Sequence, residues 1–309
     1  MAKKSTTELT FKQLLAPKYW LTWLAMSITY LVSFLPWRTK QTLGKYLGLL
    51  LHKTAARRRH ICDVNLQICY PDMPPEERKA LTRQHFISAG KGFLETFDAW
   101  YQPASKLMPR VDFDSQAVVD KALEAGKGCI LISGHFAPLD LCGTLIASHI
   151  DLHPIYKRQN NPVFNWVMEH QRKKVYSKTI ERSDMREVLK SLKLNKPVWY
   201  AVDQDYGRKH SVFAPFFGRE CATISHIGRI AKMTKAPVLM LDYGRTENGY
   251  TYRFTEVENY PTEDDVTNAT IINKLMEDAI STKKEQYLWS HRRFKTQPVK
   301  GDPSPYNDK

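Results

Sequence analysis

The sequence predicts an α/β fold, a mixed and largely parallel sheet flanked by helices, with a membrane-anchor helix at the amino terminus. Three observations carry that expectation. Short apolar runs of strand length alternate with stretches of helical period, as in a sheet covered by helices. Two of those runs, GCILIS (128–133) and VWYAV (198–202), lack the polar alternation of a half-exposed strand and read as buried on both faces. The stretch Tyr19–Trp37 has no charged residue. At 309 residues, 42% apolar and 25% charged, the chain suits one large enzyme-like domain with an appendage.

The uncharged stretch comes first. Its nineteen residues would rise roughly 28 Å as a helix, close to the ~30 Å of a bilayer's hydrocarbon. Tyr19, Trp20 and Trp37 sit at its ends as interfacial aromatics do. Lys3, Lys4, Lys12 and Lys18 precede it; Arg38, Lys40, Lys45, Lys53 and Arg57–Arg59 follow, so the heavier downstream charge places the large domain in the cytoplasm. The expected division is therefore 1–40, a basic segment and anchor, and 41–309, a cytoplasmic α/β domain.

After the Pro74-Pro75 break, Glu76 and Glu77 mark the first turn of a helix whose apolar stripe runs through Phe86, Phe93, Phe97 and Trp100. A short helix over 117–125 stops at Gly126. Then come strand 128–133, a helix from Pro138, strand 154–156 and helices over 162–174 and 185–194. Strand 198–202 leads into a polar loop from Asp203. A helix is expected over 223–235, then strands 238–243 and 250–257 joined at Asn248-Gly249, a hairpin pair, and a last helix over 266–284.

With 46 Lys+Arg against 32 Asp+Glu, the formal charge of +14 favours anionic partners: nucleic acid, a membrane surface, a phosphorylated substrate or an acidic carrier protein. Nucleic acid lacks support, since no binding motif, zinc ligands or interleaved surface aromatics accompany the charge. Five scattered cysteines without a C-x-x-C pair argue against a disulfide framework or zinc site and suit a reducing cytosol.

Four segments carry residue types that do chemistry. In SGHFAPLD (133–140), a strand gives way to a helix at the sheet edge where open α/β folds bind ligands. His135 in the loop and Asp140 in the first helical turn can converge, the carboxylate fixing the imidazole tautomer for proton abstraction; a capping Asp140 and a backbone-bound His135 are the plain alternative. VWYAVDQDYG (198–207) brings Asp203 and Asp205 out of a strand, followed by Arg208. That pair reads as a polar turn or as the divalent-metal ligands of a glycosyltransferase. Lys157 and Arg158, before the helix opening at Pro162, suit a phosphate or sugar phosphate. YLWSHRRFK (287–295), with His291 and Arg292, is a basic tail or one wall of an anionic pocket. Ser133, Cys129 and Cys142 lie near His135 but outside any G-x-S-x-G elbow, and read as structural.

In this order, the apolar segment, HFAPLD, YKRQNNP, VWYAVDQDYGRKHSVFAPFFGRECAT and QYLWSHRRFK together resemble the bacterial lipid A late acyltransferases, the lauroyl/myristoyl transferases of the glycerolipid acyltransferase superfamily. The likeness covers nearly the whole chain. It implies a glycerolipid acyltransferase-like fold, with His135 and Asp140 as the catalytic His-x4-acid pair. Lys157, Arg158, Asp203, Asp205, Arg208, His291 and Arg292 are then substrate-binding residues. The chain departs from the pattern with Asp140 where many lipid A members have Glu, and with Gly134 where the glycerol-phosphate branch often has Asn. The implied reaction moves an acyl chain from acyl-acyl carrier protein to a hydroxyl of a Kdo-bearing lipid A precursor. It needs no cofactor or metal, because a thioester is already activated. The implied location is the inner membrane, through a single-pass anchor, with a phosphorylated glycolipid acceptor and the carrier protein as anionic partners.

Overall fold

A computed structural model describes residues 9–306 of the chain, apart from residue 114. Its amino-terminal helices are α1 (Phe11–Leu14), α2 (Trp20–Ser33), α3 (Trp37–Thr54), α4 (Ala56–Cys69), α5 (Pro75–Tyr101) and α6 (Ala104–Leu107). The central part runs β1 (Val111–Phe113), α7 (Gln116–Glu124), β2 (Cys129–Ser133), α8 (Leu139–Ala147), β3 (His153–Tyr156), α9 (Pro162–Val175), β4 (Ile180–Glu181), α10 (Met185–Lys193) and β5 (Pro197–Ala201). The remainder is β6 (Ser211–Phe216), β7 (Arg219–Ile224), α11 (His226–Thr234), β8 (Val238–Arg245), β9 (Tyr250–Glu256) and α12 (Asp265–Ser281).

Every residue of β2 is buried, which requires cover on both faces of the sheet. The seven-stranded sheet has the order β1-β9-β8-β2-β5-β3-β4, all parallel except the β8–β9 pair, as the alternation of elements predicts. Asn248-Gly249 does join β8 and β9. The sequence reading missed β6 and β7, an antiparallel hairpin on Phe217-Gly218 inside the loop expected after Asp203. Pro215 and the two aromatics before the turn hide its alternation, and Gly218, at φ 74°, takes a backbone that other residues resist. The helix expected from 223 accordingly starts only at His226.

The amino-terminal anchor is corrected. No helix among the described residues is long and apolar enough to cross a membrane. Pro36 disfavours the helical conformation at the residue before it, so the uncharged stretch breaks over 34–36 and α2 keeps only 14 residues. That is about 21 Å, well short of a bilayer core. The segment instead packs on the domain. Lys40 is buried, paired with Asp98 of α5 at 2.5 Å and donating to the Ser33 carbonyl at 3.0 Å. Trp37 Nε1 donates to the Tyr250 hydroxyl of β9. Glycines let α3 and α5 nearly touch: a Cβ on Gly48 would lie 2.2 Å from the Phe86 carbonyl oxygen. Deeper, Arg245 of β8 meets Glu95 of α5 at 2.6 Å, and Tyr250 also donates to Glu95. This is a buried ion pair with its lone pairs filled, the condition under which such a pair is tolerated.

Candidate active site

His135 stands two residues beyond the end of β2, and Asp203 two residues beyond the end of β5. These strands are parallel neighbours with Ser133 opposite Ala201, so the register delivers the two side chains to the same place. The contact is double: His135 N–H donates to Asp203 Oδ2 at 2.9 Å, and Nδ1 lies 2.6 Å from Oδ1. Burial raises the Tyr287 phenol, which lies close enough for the same carboxylate's charge to raise it further. Burial would raise the Asp203 carboxyl, but the His135 charge and hydrogen bonds outweigh it and hold the group down to about 2. Burial would likewise lower His135; the carboxylate beside it wins and raises the imidazole above its ordinary value. Asp203 is therefore ionised, Nδ1 keeps its proton, and Nε2 is left as the basic nitrogen, 3.3 Å from Gln204 Nε2.

The loop bearing His135 is fixed on every side. The Tyr243 hydroxyl donates to the Gly134 carbonyl at 2.8 Å, Leu288 N–H to the His135 carbonyl at 3.0 Å, and Ala137 N–H to the Gln286 carbonyl at 2.8 Å. A Cβ on Gly134 would come within 3.2 Å of both Met276 and the Phe136 ring, so a larger residue here would have to push both side chains aside.

Asp140 does sit in the first turn of α8, but its partner is not His135. Its carboxylate takes Arg172 of α9 at 2.5 Å, and the guanidinium lies over the Tyr156 ring. The first helical turn aims Asp140 across at α9, whereas Asp203 shares the exit of the adjacent strand with His135. Arg172 went unnoticed in the sequence because nothing local distinguishes it from the other cations near the end of α9. His135, Asp140 and Arg172 line one cavity of about 310 Å³, which Lys157 and Arg182 also border.

The other expected binding residues are engaged elsewhere. Asp205 accepts from Gly207 N–H, Thr296 N–H and Thr296 Oγ1, and Arg208 donates to the Gln297 and Pro298 carbonyls. His291 Nε2 accepts from Asp205 N–H, and burial holds its imidazole down to about 4. Arg292 lies over the Tyr306 ring. Arg158 faces Glu169 at 3.7 Å and borders a separate hollow with Tyr19 and Trp166. The Asp-x-Asp pair is thus a hinge of internal bonds rather than the open carboxylate pair that a metal-dependent glycosyltransferase requires. No group of three metal-ligating side chains occurs among the described residues.

Ser133 is fully buried and its hydroxyl accepts from Trp199 Nε1 at 2.7 Å. Burial pushes the Cys129 thiol up to about 12 and raises Cys142 as well, so neither supplies a thiolate.

Residues 10–296 match the family described as bacterial lipid A biosynthesis acyltransferase. The chain is 35% identical over 303 residues to the lipid A biosynthesis palmitoleoyltransferase of Escherichia coli strain K12, covering 96% of this chain and 97% of that one. Identity is 33% to the lauroyltransferase of the same strain, covering 95% and 97%, and 26% to its myristoyltransferase, covering 95% and 92%.

Proposed function

Since the chain belongs to the bacterial lipid A biosynthesis acyltransferases, we propose that it moves a fatty acyl group from acyl-acyl carrier protein to a hydroxyl of a Kdo-bearing lipid A precursor, with His135 as general base. The double contact between His135 and Asp203 carries this reading. Nε2 takes the hydroxyl proton as the oxygen attacks the thioester carbonyl carbon, and the carbonyl electron pair moves onto oxygen. Collapse of that oxyanion expels the thiolate, which recovers the proton from His135. Asp203 holds the tautomer and stabilises the imidazolium; such general-base assistance contributes roughly 10²–10⁴-fold. Arg172, fixed by Asp140, supplies positive charge to the cavity in which the oxyanion forms. Asp140 thus acts on the arginine and Asp203 on the histidine. Purified protein given acyl carrier protein thioesters and a tetra-acylated precursor should yield a product heavier by one acyl chain. His135→Ala should yield none while keeping its fold; turnover near normal in that variant refutes the assignment.

The inner membrane is the expected site of action, reached by lying on the surface rather than by spanning. Among the described residues, 15 of the 20 large exposed hydrophobics fall between Leu9 and Leu51, including Trp20, Leu21, Leu24 and Leu31 of α2 and Tyr46 and Leu50 of α3. Lys12, Lys18 and Lys45 lie among them in the sequence and Lys53 just beyond, the composition of an interfacial helix pair on anionic lipid.

A further inference from the structure

β3 and β4 run parallel at the sheet edge, Ile155 opposite Ile180 and Tyr156 opposite Glu181. The ladder continues one step, since Arg182 N–H donates to the Tyr156 carbonyl at 2.9 Å. The next residue of each segment is a cation: Lys157 after Tyr156, Arg182 after Glu181. Both are exposed, both border the His135 cavity, and neither side chain has an acidic partner among the described residues. The remaining arginine of the cavity, Arg172, is already held in an ion pair with Asp140. Burial raises the phenols of Tyr200 and Tyr206, which line the same cavity, and the charge of Arg182 pulls both the other way, so its field reaches into the hollow.

Two like charges at adjacent strand ends repel one another unless an anion sits between them. From this we infer that Arg182 and Lys157 form a phosphate-binding site at the mouth of the cavity. The guanidinium would give a bidentate grip and the ammonium a second charge. A phosphate held there lies beside the reacting centre without competing with the Asp140–Arg172 pair. The choice of phosphate rests on the acyl-transfer reading, because both substrates bring one: the phosphopantetheine arm of the donor and the glycolipid of the acceptor. The site itself is independent of that reading.

The test separates the two. Binding of inorganic pyrophosphate is measured by calorimetry on the full chain, and Arg182→Ala should weaken it on the order of tenfold, the usual worth of one charge-assisted hydrogen bond. Arg182→Lys should recover part of the loss, and Lys157→Ala should add to it. Because Arg182 is exposed, an unchanged melting temperature is expected and shows that the fold is intact. Steady-state kinetics then assign the source. A KM raised for acyl-phosphopantetheine but not for its dephosphorylated analogue places the donor's phosphate here, and a KM raised only for the phosphorylated acceptor places the acceptor's. In either case kcat should change less than KM. Equal pyrophosphate affinity in wild type and Arg182→Ala, or no measurable binding in either, overturns the site whether or not acyl transfer is observed.

Discussion

Replacing Asp203 by Asn changes one atom and removes a choice that the histidine depends on. The carboxylate accepts twice from His135, from the main-chain N–H at 2.9 Å and from Nδ1 at 2.6 Å. An amide has one oxygen to offer. If that oxygen keeps the main-chain N–H, its NH₂ faces Nδ1, which must become an acceptor, and the ring proton moves to Nε2, where it blocks proton abstraction. If the oxygen keeps Nδ1, the NH₂ meets the main-chain N–H donor to donor, an unsatisfied buried contact worth about 1–3 kcal/mol. The first arrangement withdraws the base; the second leaves Nε2 free but costs a buried bond and removes the charge that stabilises the imidazolium, so kcat should fall between about 10² and 10⁴-fold. The pH profile should move too. Activity needs the neutral imidazole, and Asp203 raises the pKa of His135, so the acid limb of kcat/KM in the wild type should lie above the ordinary histidine value. Without the carboxylate that limb shifts to lower pH while the plateau drops. Asp140→Asn should lose activity with the limb in place, because its charge partner is Arg172. The assay is mass-resolved acyl transfer from pH 5 to 9 on both variants. Turnover within threefold of wild type in Asp203→Asn, or a limb that moves in Asp140→Asn and not in Asp203→Asn, refutes the division of labour.

If transfer is direct, single Ala substitutions at Ser133, Cys129 and Cys142 should keep most activity in folded protein, and intact-mass spectra during turnover should show no acyl adduct; a stoichiometric adduct on any of them contradicts the mechanism. Paired substitutions Leu21→Glu and Leu31→Glu on the exposed face of α2 should abolish flotation with anionic vesicles without lowering the melting temperature, and unchanged flotation removes the interfacial reading. Burial holds His85, His226 and His291 down to about 4, so between pH 6.5 and about 4 the unfolded chain binds more protons than the folded one. Stability contributed by their neutral state is therefore complete above pH 6.5 and lost as pH falls toward 4, by at most roughly 1.4 kcal/mol per pH unit for each histidine. Urea midpoints at pH 7 and pH 5 check this, and equal midpoints count against it.

Much of the fold was legible because buried strands announce themselves: β2, β3, β5, β8 and β9 fall within a residue or two of the apolar runs that predict them. His135 was legible for the same reason, standing where one such run stops. Its partner was visible but misassigned. Asp203 was recognised at another strand end, yet nothing in a linear sequence states that β2 and β5 are neighbours in register, and Asp140, five residues away, looked nearer. Distance along the chain was the wrong measure at a strand-to-helix junction. Arg172 and Arg182 needed the third dimension altogether, since each becomes distinctive only by bordering the cavity of His135. The anchor rested on reading 19–37 as one helix, and the break before Pro36 divides it, leaving α2 only 14 residues.

The bond between the histidine loop and the segment around Tyr287 has a consequence for the history of the molecule. Phe136 bridges Tyr287, 151 positions later in the chain, and the Gln286 carbonyl and Leu288 N–H complete the clasp. During synthesis β2 and β5 emerge and can pair while this segment is still unmade. The nascent protein then holds its histidine on a loop whose Ala137 N–H and His135 carbonyl are unpaired. Competence therefore arrives late and abruptly, when a stretch of the carboxy-terminal region closes over a loop made long before.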